Sequence, residues 1–138
     1  MKFTGFLTIA VALVLSIVPQ FTDCQSQGRA ITLANGTTIP MKCHWSAQAE
    51  LVAAVPIGLI GLLMVVSTQK ESGRILSILG TALGILAILI PTALIGVCAG
   101  MGMSCNMIMR PVLILGGALV ATASLGRLAI SERQPTSV

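Results

Sequence analysis

PTALIGVCAGMGMSCNMIMRP, residues 91–111, is bracketed by prolines and lies between two long apolar runs. It holds Cys98 and Cys105, together with Met101, Met103, Met107 and Met109 and several glycines. Its counterpart upstream, ITLANGTTIPMKCHW at 31–45, is flanked by Cys24 and ends around Cys43. Every cysteine of the chain falls in one of the two loops that hold these segments. If the apolar runs cross a bilayer, both segments lie on the same side of it.

Working outward, the flanking runs are 75–97 and 111–130, and two more occupy 3–18 and 50–66. A bilayer core of about 30 Å needs about 20 helical residues. The third and fourth runs meet that length directly. The second reaches it if its helix starts near Ser46, a good N-cap residue. The first follows Lys2 as a signal peptide would, but Val18-Pro19-Gln20-Phe21 has no small-residue cleavage site, so an uncleaved helix is expected. Composition agrees: 55% of residues are hydrophobic and 9% charged, against about 25% charged in soluble domains. The mean hydropathy is +0.98. The predicted fold is therefore an all-α membrane protein, one domain over 1–138. Its four transmembrane helices cover about 3–19, 47–66, 75–96 and 111–130, with outer loops 20–46 and 97–110 and an inner loop 67–74. Trp45 and the three phenylalanines fall near predicted interfaces, where amphipathic rings collect.

Lysine and arginine counts set the orientation. One side receives Lys2, Lys70, Arg74, Arg127 and Arg133; the other receives Arg29, Lys42 and Arg110. The richer side has the short tails and the tight loop, where the rule works best, so both termini are expected in the cytoplasm of a multi-pass cell-membrane protein. The cysteine loops then face an oxidising compartment, where disulfides persist. The net charge of +4 comes without a basic cluster or aromatic platform, which argues against nucleic acid as a partner.

Within the first loop, Asn35-Gly36 between Ile31–Ala34 and Thr37–Ile39 predicts a β-hairpin turn with Leu33 opposite Thr38. Asn35-Gly36-Thr37 also spells a glycosylation sequon, although turn chemistry alone accounts for these residues. Gly80 and Gly84 on the third helix, and Ala118, Thr122 and Gly126 on the fourth, have the small-residue spacing that lets membrane helices approach closely. Internal packing is the preferred reading of that spacing, a homo-oligomer the other. Pro91 is expected to kink or end the third helix, and Pro111 suits the first turn of the fourth.

Four cysteines allow three pairings. Two loops with two cysteines each point to Cys24–Cys43 and Cys98–Cys105, with a tie between the loops as the alternative. The first reading is structural: a disulfide-stabilised outer cap, each bond contributing about 2–4 kcal/mol. The second is redox relay. A four-helix layout with a cysteine pair in each of two outward loops is similar to the bacterial quinone reductases that generate periplasmic disulfides, though the spacings here are far wider than C-x-x-C. Lys42 beside Cys43 could lower a thiol pKa. The third is soft-metal binding, since Met41, Cys43 and His44 crowd one loop end and Met101, Met103 and Cys105 the other, a donor set suited to copper(I). Glu50 is read as favouring the N-terminus of the second helix. No nucleophile triad, phosphate loop, zinc spacing or midplane polar group is present, so conduction or pumping by this chain alone is disfavoured.

The run Ile39-Pro40-Met41-Lys42-Cys43-His44-Trp45 just before the second helix, and Met103-Ser104-Cys105-Asn106 further on, resemble the two motifs of a family of uncharacterised small bacterial membrane proteins, catalogued as a domain of unknown function. The resemblance implies a four-helix integral membrane protein of bacteria and no established activity. The combined expectation is a non-enzymatic accessory or interaction protein, without a cofactor, presenting its cap to a membrane or periplasmic partner. Thiol–disulfide oxidoreduction with a quinone, or copper binding, are the alternatives.

Overall fold

The computed structural model describes residues 2–67, 69–100 and 102–133. Its elements in chain order are α1 (Lys2–Thr22), β1 (Ile31–Thr32), β2 (Thr38–Ile39), α2 (Lys42–Val66), α3 (Lys70–Leu89), a π-helical turn (Ile90–Leu94), a second π-helical turn (Cys105–Met109) and α4 (Arg110–Arg133). Four helices are long and apolar enough to cross a bilayer. The protein is a multi-pass membrane protein.

Helix periodicity decides what faces inward. On α1 the buried residues are Gly5, Thr8, Val11, Ala12, Leu15 and Pro19, one stripe of a 3.6-residue repeat. The opposite face keeps Phe3, Leu13, Ile17 and Phe21 exposed, as suits lipid contact. Buried Thr8 and Ser77 donate to the carbonyls of Thr4 and Gly73 one turn back, so these hydroxyls need no partner from another helix.

α1 packs along α2 and α3 along α4, and the two hairpins meet through α2–α3 and α1–α4. Each hairpin crosses where glycine meets glycine. A Cβ at Gly84 would stand 2.8 Å from both the Ala121 amide nitrogen and the Gly117 carbonyl oxygen, and one at Gly5 would stand 2.8 Å from the Gly61 carbonyl oxygen. The face of α4 that meets α3 runs through Gly117, Ala121 and Ser124, and Gly80 lies against Ser124. Ala118 is half-buried, while Thr122 and Gly126 are exposed.

Helix ends differ from the sequence reading in instructive ways. Pro19 does not stop α1, because its carbonyl still accepts from the Asp23 amide at 3.0 Å. α2 begins at Lys42 with Met41 as an extended N-cap that makes no side-chain capping bond. Ser46 is therefore a buried residue of the helix interior, not its cap. Pro91 does end the regular α-helix, as expected, the last residue of α3 being Leu89. Lacking an N–H, it leaves the i−4 ladder incomplete, and the chain widens into one π-turn closed by the Ile95 amide on the Ile90 carbonyl at 3.1 Å. Pro111 is preceded by the second π-turn in the same way, with the Arg110 amide on the Cys105 carbonyl. Such bulges are frequent at functional sites.

The hairpin exists, with its register shifted by one residue. Ile31 pairs with Ile39 and Thr32 with Thr38. Of the described residues with positive φ, all are glycines, and Gly36 sits at 81°. Asn35 is thus outside the left-handed region that a two-residue Asn-Gly turn requires. Instead the Gly36 amide closes on the Leu33 carbonyl at 2.9 Å. Asn35 Oδ1 accepts from the Thr37 amide and hydroxyl at 3.2 and 2.6 Å. A type I turn followed by a left-handed glycine gives this longer loop.

Candidate functional site: a four-sulfur cluster at one end of the helices

All four cysteines converge. Cys24 follows the end of α1, Cys43 sits in the first turn of α2, Cys98 lies in the loop after the first π-turn, and Cys105 opens the second. Cys24 Sγ lies 2.9 Å from Cys105 Sγ, and Cys43 Sγ lies 2.7 Å from Cys98 Sγ. The sulfurs of Cys24, Cys43 and Cys105 are all within 4.8 Å of one another. The Cys98 amide also donates to Cys43 Sγ at 3.2 Å. The close pairs run between the loops, which corrects the expected Cys24–Cys43 and Cys98–Cys105 pairing. All four are thiols, so the disulfide-bonded cap is not seen as such; its cysteines are adjacent and unbonded.

Burial separates the four. Cys24, Cys43 and Cys105 are at most 1% exposed, whereas Cys98 is half-buried. Burial, and then the hydrogen bond with Cys105, push the Cys24 thiol up to about 12. Burial acts the same way on Cys98, but hydrogen bonds at Cys43 and Cys24 and the charge of Lys42 outweigh it and hold that thiol below its ordinary value. Lys42 therefore acts across the loop, on Cys98. A partly exposed thiol held below its ordinary pKa beside buried ones is the kind of environment in which reactive cysteines occur.

The side chains next to the cysteines follow them together. Asp23 and His44 adjoin Cys24 and Cys43 in sequence, and His44 Nδ1 donates to Asp23 Oδ2 at 3.0 Å. Burial raises the Asp23 carboxyl, yet hydrogen bonds from Ser26 and then His44 bring it below the ordinary carboxylate value. His44 is thus committed to a carboxylate and stacks edge-on with Trp45, ring centroids 6.0 Å apart. Met41 and Met103 pack against the core that holds the sulfurs. Met101 lies outside the described residues. Asp23 is a residue the sequence reading passed over; its signal was its place beside a cysteine, matching that of His44.

Two turns along the same face of α2, Glu50 is fully buried. Neither of its oxygens, nor the Ser46 hydroxyl one turn above, has a hydrogen-bond partner among the described residues. With the helix starting at Lys42, Glu50 is in its third turn, too deep for the end-of-helix role assigned to it.

Behind the loop, a cavity of about 260 Å³ is lined by Pro91, Thr92, Gly96, Val97, Ala99, Asn106 and Arg110. Both π-turns contribute to it, and Val97 and Ala99 flank Cys98.

No curated protein and no solved structure matches the chain. A family model described as "Domain of unknown function (DUF4418)" matches residues 6–130, and the chain, a four-helix membrane protein with its cysteines gathered at one end, belongs to that family.

Proposed function

We propose that this is a membrane thiol–disulfide protein whose outer cap passes a disulfide between two cross-loop pairs, Cys43–Cys98 and Cys24–Cys105. The observation behind the reading is that the two pairs adjoin, the sulfurs of Cys24, Cys43 and Cys105 lying within 4.8 Å of one another. Staples that only restrict loops gain nothing from contact with each other. Exchange needs it, because a thiolate must reach a disulfide sulfur. The wide sequence spacings that spoke against redox chemistry carry no weight once the fold closes them.

Cys43–Cys98 serves as the entry pair, since Cys98 is the one cysteine of the four that is not buried. A partner protein's dithiol attacks the Cys43–Cys98 disulfide and becomes a disulfide itself, leaving Cys43 and Cys98 as thiols: two electrons and two protons move inward. Exchange with a Cys24–Cys105 disulfide then restores the outer bond and leaves the inner pair reduced. A lipid-soluble acceptor of the quinone class is the oxidant that completes the cycle. The bias of Lys and Arg to the other side, and the persistence of disulfides outside the cytoplasm, support an outward-facing cluster with cytoplasmic termini.

A second reading, an accessory protein whose cap is merely stapled, is favoured by the span of the pairs. They join residues 81 and 55 positions apart, where loop-closure entropy gives about 4 kcal/mol each. Trapping in intact cells decides. Cells are acid-quenched, labelled with a mass-adding maleimide and mapped for disulfides, using wild type and Cys43→Ser. Exchange predicts both oxidised and reduced wild-type forms, and in Cys43→Ser a mixed disulfide held at Cys98. Complete oxidation of all four with no mixed disulfide establishes the staple instead. Four free thiols, protected until a copper(I) chelator is added, would establish the metal reading.

A further inference from the structure

Exchange inside the cluster requires a proton acceptor as well as sulfurs. The thiolate, not the thiol, attacks a disulfide, and Cys43, which must pass the bond on to Cys24 or Cys105, is fully buried. Among the described residues the buried acidic side chains are Asp23 and Glu50. Asp23 is engaged, by His44 at 3.0 Å and by the Ser26 amide at 2.8 Å. Both oxygens of Glu50 are unpartnered. Cys43, Ser46 and Glu50 are buried together on α2 at i, i+3 and i+7, one face of the helix, where neighbours in the row stand about 5–6 Å apart at Cβ. Helical side chains lean toward the N-terminus of their helix, which directs Glu50 toward Ser46 and Ser46 toward Cys43. The hydroxyls of Thr8, Thr22, Ser77, Thr81 and Thr122 each donate to the carbonyl one turn back; that of Ser46 has no such partner. A hydroxyl that can both donate and accept, set between a carboxyl and a thiol, is a one-link path for a proton.

We propose that Glu50 is the proton carrier of the sulfur cluster, serving Cys43 through the Ser46 hydroxyl. The proposal rests on the thiol-exchange reading. With Cys43 and Cys98 reduced and Cys24–Cys105 oxidised, the Cys43 proton passes by way of Ser46 to a Glu50 oxygen. The Cys43 thiolate attacks Cys24 or Cys105, whose sulfurs lie within 4.8 Å. The S–S bond breaks, and the leaving thiolate takes a proton back from Glu50. Cys98, half-buried, gives its proton to solvent and attacks the Cys43 sulfur of the mixed disulfide, from which it is 2.7 Å away. The second thiolate of the Cys24–Cys105 pair then leaves and takes up a proton. Two thiols become one disulfide, one disulfide becomes two thiols, and no proton is gained or lost overall.

The test uses the full chain, oxidised at both pairs and held in neutral detergent. One equivalent of a water-soluble trialkylphosphine is added, and samples are acid-quenched at intervals, alkylated and mapped for disulfides. In wild type the Cys43–Cys98 bond should open first and then return at the expense of Cys24–Cys105, more slowly in heavy water. E50Q should open at the wild-type rate but transfer the bond about 100-fold more slowly, the size of a general acid–base contribution, and lose the heavy-water effect. E50D, which keeps the carboxyl, should restore most of the rate, and S46A should slow transfer without slowing opening. Transfer at the wild-type rate in E50Q, or a loss that E50D does not restore, would overturn the proton role and leave exchange standing. Where E50Q does not fold, S46A decides: wild-type transfer with an unchanged heavy-water effect overturns the relay. A wild-type Cys24–Cys105 bond that never passes to Cys43 and Cys98 would remove exchange and relay together.

Discussion

Asp23 and His44 lie next in sequence to Cys24 and Cys43, and their contact ties the end of α1 to the start of α2 independently of any sulfur chemistry. The Asp23 carboxyl titrates below its ordinary value of 3.8 in the folded protein. Its contribution to stability is therefore complete above the unfolded value and is lost as the pH falls through the lower folded one. Trp45, the only tryptophan, sits edge-on to His44 and reports the contact. Its emission is expected to hold steady down to about pH 4 and to shift below it. D23N should flatten that acid transition, and an unchanged transition in D23N would show that another group carries it. Among the described residues Glu50, Ser46 and Ser124 carry buried side-chain oxygens without a hydrogen-bond partner, which usually cost about 1–3 kcal/mol each, and the first two lie on α2 within two turns of Cys43.

At the scale of elements, glycine decides how closely the helices approach and proline decides where they loosen. Gly84 faces backbone atoms of Gly117 and Ala121, which have no side-chain freedom with which to yield. Gly84→Val is expected to push α3 and α4 apart and cost about 1–3 kcal/mol, read as a lower unfolding midpoint in mild detergent. Gly126→Val, at a position with open space around it, should stay within about 0.5 kcal/mol of wild type. Equal losses at both sites would remove the close-approach argument. The π-turns at Pro91 and Pro111 act differently. Each widens a helix where it meets the loop 95–104, and together they bring Cys98 and Cys105 to the sulfurs of Cys43 and Cys24.

Across the whole molecule, the up-and-down path places one end of each of the four helices around one sulfur cluster, and the topology proposal gives that end a side. A fluorescent protein fused after Val138 is expected to fluoresce in intact bacteria, since it folds in the cytoplasm. An alkaline phosphatase fusion at the same point should be inactive; an active phosphatase would invert the topology and place the cluster in a reducing compartment. Membrane character, the four spans and the hairpin were legible in the sequence because each is local: about 20 apolar residues in a row need a bilayer wherever they occur, and Asn-Gly followed by Thr turns a chain whatever surrounds it. The family resemblance was legible for the same reason, since it rested on short contiguous runs around Cys43 and Cys105. The hairpin register was not, because it turned on the φ of Asn35, which the side-chain bonds to Thr37 settle. The sulfur pairing was not either. Cys24–Cys105 and Cys43–Cys98 depend on how four helix ends meet, and that meeting follows from the Gly5–Gly61 and Gly84–Gly117 crossings and two π-turns acting together. What the chain is built from can be read in order along it. Which sulfur meets which arises only when packing brings together residues far apart in sequence.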